Sequence, residues 1–305
     1  MPALHRRNFL RSMPAFASLP LPGFSSNRAD KGAAASNRFK LSLNAYSFNA
    51  PLTGGKATLD QVVEFCAANG FDAVDLTGYY FPGYPQTPSD EYVYHLKKKT
   101  HQLGLSVSGT GIRNDFVQES KEARAADEML VKKWIETAAK LGAPVIRIYT
   151  GKALVDESVR EKITAQVAEH IHSCVEWGKA HGVLVAIQNH NDFIKTAGQA
   201  IQLLKLVNSE WFGLVLDTGS FVTGEPYAEI ALAAPYAVNW QVKEKFAVGG
   251  QQQNMDLPRL CKIIRDSTYR GFLPIETLNP GDPFVIVPPF LQQVKQALAA
   301  VMKTA

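Results

Sequence analysis

The stretch His181-Gly182-Val183-Leu184-Val185-Ala186-Ile187-Gln188-Asn189-His190 decides how the rest of the chain is read. Before it, Glu157–His181 has the length and composition of a helix, and Gly182 stands where a helix ends in a left-handed residue. Val183–Gln188 is then short, apolar and unalternating, as a parallel strand covered on both faces should be. The run ends abruptly in polar groups. The same phrase of helix, glycine and strand recurs at Asn69-Gly70-Phe71-Asp72, Leu103-Gly104-Leu105, Leu141-Gly142-Ala143 and Arg270-Gly271-Phe272.

Working outward, eight strand-like runs alternate with helical segments. The runs are Lys40–Phe48, Asp72–Thr77, Leu105–Thr110, Pro144–Tyr149, Val183–Gln188, Gly213–Asp217, Ala237–Val242 and Phe272–Glu276. Ala57–Ala68 and Glu119–Leu141 read as helices between them, each followed closely by a glycine. Eight such units predict an α/β fold, a single (β/α)8 TIM barrel, whose usual size is about 250 residues. The competing arrangement, an open doubly wound sheet, lacks its Gly-rich dinucleotide fingerprint after the first run. No Pro/Ser-rich linker divides the chain after residue 40, so residues 36–305 read as one barrel domain.

Composition bounds the function. With 46% hydrophobic and 20% charged residues, the chain is that of a globular protein, not a disordered one. No uninterrupted apolar run reaches about 18 residues, so no conventional membrane span is predicted. The net charge of +4 lies at one end. Residues 1–35 hold Arg6, Arg7, Arg11, Arg28 and Lys31 against Asp30, which leaves 27 basic and 27 acidic residues beyond. A neutral barrel has no electrostatic reason to bind nucleic acid. Cys66, Cys174 and Cys261 are far apart in helical stretches and read as buried thiols.

The basic end has its own pattern. His5-Arg6-Arg7-Asn8-Phe9-Leu10-Arg11 precedes a weakly apolar stretch and the small residues Gly32-Ala33-Ala34-Ala35. This resembles a twin-arginine export signal, with His5 where Ser or Thr is usual. It implies an export leader over residues 1–35, cleavage near Ala35 and a periplasmic destination. A disordered basic tail is the plainer alternative.

A barrel of this kind places its site at the carboxyl ends of its strands. Four successive runs end in polar or charged groups: Gln188-Asn189-His190, Asp217-Thr218-Gly219, Gln241-Val242-Lys243-Glu244 and Glu276-Thr277. Burying such a ring is unfavourable unless it binds something. Tyr46, Arg113 and Arg147 stand at or near other strand ends. The loop Gly78-Tyr79-Tyr80-Phe81-Pro82-Gly83-Tyr84-Pro85 is aromatic enough to wall a ring-shaped ligand. Its alternatives are packing on the barrel rim or against a second copy in a homo-oligomer. Asp75 reads as a structural partner of Arg147, Asp192-Phe193-Ile194-Lys195-Thr196 as a segment that caps the next helix, and Gly249–Asn254 as a polar loop.

On these frames the chain resembles the sugar phosphate isomerase/epimerase superfamily, the xylose-isomerase-like barrels, over residues 40–305. The resemblance implies one divalent metal held by a Glu on strand five, an Asp on strand six, a His on strand seven and a Glu on strand eight. Carried over, these fall on Gln188, Asp217, Gln241 and Glu276. Two of the four are therefore neutral amides, a hard oxygen set suited to Mg²⁺ or Mn²⁺ more than to zinc. Glu276 is the candidate base, His190 the candidate acid, and Lys243 a fixed cation that polarises a carbonyl. His190 and Glu244 could also serve as substitute ligands. Tyr46, Tyr80, Arg113, Arg147, Asn189 and Glu244 are the candidates for holding substrate. The implied activity is proton abstraction next to a carbonyl of a sugar or keto sugar, as an isomerase, epimerase, lyase or hydratase. The contrary reading is a sugar-binding or partner protein with a degenerate metal site. The superfamily's zinc-dependent DNA-repair enzymes need many histidines at strand ends, and only His190 is so placed.

Overall fold

The computed structural model describes residues 39–152 and 155–303. The leader expected over residues 1–35 lies outside the described residues. All eight runs contribute strands to one closed parallel barrel. These are β1 (Lys40–Asn44), β2 (Ala73–Thr77), β3 (Ser106–Gly111), β4 (Val145–Ile148), β5 (Leu184–Gln188), β6 (Phe212–Asp217) and β7 (Ala237–Lys243), closed by β10 (Phe272–Glu276) between β7 and β1. A helix follows each barrel strand before the next begins, as the alternating sequence predicts.

The glycine phrases act as expected. Gly142 and Gly182 end the helices Lys121–Leu141 and Glu157–His181 with φ of 83° and 69°. A side chain at either position would be strained in that conformation. Helix starts differ slightly from the sequence reading. Thr58 and Ser120 cap their helices through their hydroxyls, so the first helical residues are Leu59 and Lys121.

Two expectations need correction, and a third is narrowed to one residue. The first run ends as strand at Asn44, not Phe48, because the Asn44 side chain accepts from the Tyr46 N–H and turns the chain into a short 3₁₀ segment. The expected polar loop Gly249–Asn254 is half of an antiparallel hairpin, β8 (Lys245–Val248) with β9 (Gln251–Asn254). Gly249 and Gly250 supply the positive φ of its two-residue turn. Within the expected capping segment 192–196, Thr196 is the residue that caps the helix Ala197–Val207.

Helix Pro283–Lys303 is apolar and long enough to cross a membrane by composition alone. It is interrupted by Gln292, Gln293 and Lys295. Val287, Phe290, Leu291, Val294 and Leu298 form one buried face, and 33% of its apolar window is buried. The three cysteines are buried free thiols, as expected.

The lumen is more polar than a usual barrel interior. Asn239 on β7 donates to the Ser108 carbonyl on β3, and the Ser42 and Ser108 hydroxyls meet at 2.6 Å across β2. Val145, Ala186 and Val215 pack as a separate small cluster. Residues two apart on a strand share a face. The residues two further on, namely Arg147, Gln188, Asp217 and Gln241, therefore project the same way, toward the carboxyl end of the lumen.

Candidate active site

The fold brings Gln188, Asp217, Gln241 and Glu276 together, and all four are buried. Their centre is Lys243. Its Nζ lies 2.8 Å from Asp217 Oδ2 and 3.4 Å from Glu276 Oε1, with 12% of the side chain exposed. Gln188 turns its amide N–H₂ to Asp217 Oδ2 at 2.7 Å. Gln241 does the same to Glu276 Oε2. Each carboxylate thus receives one amide and shares one ammonium. Among the described residues with buried polar atoms, the Gln241 carbonyl oxygen has no hydrogen-bond partner.

The neighbours explain this order. Asn189 clamps the backbone of Asp217 with two hydrogen bonds of 2.9 Å, one in each direction. Gly219 N–H donates to Asp217 Oδ1 at 2.9 Å. A Cβ on Gly219 would come within 2.7 Å of Lys243 Cδ, so glycine leaves room for the lysine stem. The Thr218 hydroxyl accepts from the Lys243 N–H at 2.9 Å and ties the end of β6 to β7. Burial pushes the Glu276 carboxyl above its ordinary value, and the Lys243 ammonium partly opposes that. Burial lowers the Lys243 ammonium, but Asp217 and Glu276 outweigh it and hold the ammonium above its ordinary value.

Above this centre opens a cavity of about 310 Å³, lined in part by Gln188, Gln241, Lys243 and Glu276. Tyr46, Arg113, Arg147 and His190, all singled out from the sequence, also line it. His190 Nδ1 is 3.1 Å from Asp192 Oδ2, and its ring meets Tyr149 edge-on at 5.0 Å. Asn191 between them has a φ of 62°, which turns both neighbours into the mouth.

Arg147 is fully sunk into the wall. Its guanidinium lies 4.5 Å from the Tyr149 ring centre and 5.3 Å from that of Tyr79, and Nη1 donates to the Ile112 carbonyl at 3.1 Å. A Cβ on Gly111 would collide with it at 2.6 Å. Among the described residues no ion pair joins Arg147 to Asp75, contrary to the sequence expectation. Aromatic faces and a carbonyl hold the guanidinium instead. Burial raises the Asp75 carboxyl to about 6, with Arg147 only partly offsetting it.

Three other residues named from the sequence do not line this cavity, although Glu244 lines a neighbouring one with Lys243 and Glu276. Glu244 Oε1 accepts from the Thr277 hydroxyl and from the N–H groups of Leu278 and Asn279, so it anchors the loop after β10. The Tyr80 hydroxyl donates to Asn49 at 2.9 Å, and the neighbouring Tyr79 faces the cavity. Asn189 is fully buried and used by Asp217. Sequence reasoning missed Tyr149, Asn44 and Lys152 as cavity walls. Tyr79 stands in the aromatic loop already singled out, but nothing in Tyr79-Tyr80 says which ring turns inward.

The expected divalent metal does not fit this arrangement. Among the described residues no three His, Cys, Asp or Glu side chains form a metal-holding group. The two carboxylates already face an ammonium, and both glutamines present N–H₂. At an effective dielectric of about 20, a divalent ion about 4 Å from Lys243 would meet a repulsion of about 8 kcal/mol. The two carboxylates would have to serve the ion and the ammonium together, and the four positions add one unpartnered amide oxygen to that.

Comparison with known proteins agrees with the barrel. No curated protein matches the sequence. Among solved structures, an L-ribulose 3-epimerase superposes with a TM-score of 0.71 at 16% identity, covering 87% of this chain and 96% of that one. An IOLI protein with a binding zinc atom gives 0.69 at 17%, covering 87% and 99%. A xylose isomerase-like TIM barrel protein from Mycobacterium smegmatis in complex with magnesium gives 0.65 at 16%, covering 88% and 99%. At these identities the likeness is one of fold. The family profile of the xylose isomerase-like TIM barrel matches residues 63–303, and the chain belongs to that family.

Proposed function

We propose that this barrel is an exported carbohydrate-processing enzyme that removes a proton next to the carbonyl of a sugar or keto sugar. The observation that carries this reading is one cavity holding both a buried carboxylate–ammonium pair and a half-exposed histidine–carboxylate pair. Glu276 takes the proton from the carbon. The electron pair moves to the carbonyl oxygen and forms an enediolate. His190, held by Asp192, returns a proton or protonates a leaving group. The first outcome is isomerisation or epimerisation; the second is elimination from a keto sugar. Tyr46 offers a flat face to a sugar ring, and Arg113, stacked on Tyr79, offers a cation at the rim. A cavity of about 310 Å³ suits one small ligand. The epimerase among the structural neighbours supports the same class of chemistry.

The two neutral glutamines favour a second reading, a sugar-binding protein without turnover. Incubation with free and 3-keto sugars in D₂O separates the two. The enzyme reading expects deuterium, seen by NMR, at a carbon next to a carbonyl. Glu276→Gln is expected to lower that rate by at least about a hundredfold, the usual scale for a general base, while sugar binding persists. Binding without deuterium across the panel, or an unimpaired Glu276→Gln, sinks the enzyme reading.

A further inference from the structure

We infer that Lys243 stands in for the divalent ion: its ammonium fills the place between Asp217 and Glu276, so the barrel works without a metal. The catalytic half of this inference rests on the function proposed above; the exclusion of metal does not.

Four observations converge. The ammonium is within 2.8 Å of one carboxylate and 3.4 Å of the other. The two positions that depart from the Glu and His implied by the resemblance are both glutamines, and both point N–H₂ at those same carboxylates. An ion ligand must present a lone pair, and an N–H₂ group has none to give. A glutamate at 188 would place a third carboxylate against Asp217, tolerable beside a divalent ion but not beside a single positive charge. Amide donors match the smaller charge. Lastly, Gly219 lacks the side chain that would push the Lys243 stem aside. The ligand positions, the cation and the space for it are mutually consistent.

The chemistry follows from charge and access. An ammonium has three donors, two of which face the carboxylates here. The third is left for a substrate oxygen in the cavity that Lys243 lines. Lys243 then stabilises the charge that develops on the carbonyl oxygen when the neighbouring carbon loses its proton. No bond to Lys243 forms or breaks.

The test uses the full chain, washed with chelator. Mn²⁺ is titrated in, and the free ion is counted by its EPR signal. The expected result is no stoichiometric binding in the micromolar range. Lys243→Met is expected to raise Mn²⁺ affinity by at least about tenfold, because it removes the competing charge and frees both carboxylates. Tight one-to-one binding by the parental chain overturns the inference, as does a folded Lys243→Met variant that binds no better. The parental titration decides the matter even where that variant does not fold. A second measurement follows deuterium uptake by any sugar the protein processes. The rate is expected to be unchanged by EDTA and by added Mn²⁺; loss with EDTA and recovery with Mn²⁺ overturns the inference. A panel on which no sugar exchanges defeats the proposed function and leaves the Mn²⁺ titration to judge Lys243.

Discussion

Asp75 shows how far a single residue can be read from sequence. Its place on the second strand was legible, and so was its nearness to Arg147. The missing ion pair was not, because the aromatic rings that hold Arg147 come from Tyr79 and Tyr149, on separate segments. Burial therefore dominates, and the carboxyl sits at about 6. The folded protein holds this proton more tightly than the unfolded chain does. That contribution to stability is complete below the ordinary value near 3.8 and is lost as pH rises through about 6. A shift of about two units bounds the effect at about 3 kcal/mol. Asp75→Asn is expected to remove this dependence. Its melting temperature should gain on the parental protein between pH 4 and 7, on the order of these carboxyl values. A difference between the two proteins that stays flat with pH excludes this account. The four polar ring positions were equally legible from strand ends, but the direction of each amide was not. Only the assembled site shows that Gln188 and Gln241 donate to carboxylates.

At the scale of elements, the eight apolar runs gave the barrel because each is buried on both faces and so carries no other pattern. The hairpin Lys245–Val248 with Gln251–Asn254 escaped for the opposite reason. Its second strand is Gln-Gln-Gln-Asn and is exposed throughout, so no hydrophobic period marks it. Its first strand follows Glu244, whose role also depends on partners distant in sequence. One Glu244 oxygen receives the loop Thr277, Leu278 and Asn279, and Leu278 reaches the cavity wall. Removing that acceptor leaves backbone N–H groups to solvent or unpaired. Glu244→Ala is expected to destabilise the protein by about 1–3 kcal/mol in urea unfolding. The amides of Leu278 and Asn279 should exchange hydrogen faster by at least about tenfold. Glu244→Gln, which keeps an acceptor, should recover most of the protection. Unchanged exchange at both amides in Glu244→Ala shows that Glu244 does not anchor the loop.

The whole molecule turns on where its charge lies. The excess of +4 falls entirely within residues 1–35, and the barrel beyond is balanced. Twin arginines, a weakly apolar stretch and small residues support the proposed export, and a neutral mature barrel suits small uncharged sugars better than polyanions. Two consequences differ from those of a basic tail that stays attached. Arg6→Lys together with Arg7→Lys keeps the charge but breaks the pair, so cell fractionation should find the variant retained in the cytoplasm while the parental chain reaches the periplasm. The periplasmic species should also be shorter and should not be retained on immobilised DNA even at low salt, since counterion release needs a basic patch. Equal periplasmic yield from the paired variant removes the export proposal. Intact residues 1–35 on the exported protein restrict it to an uncleaved leader, and DNA retention by the shortened chain removes the claim that the barrel is electrostatically neutral toward polyanions.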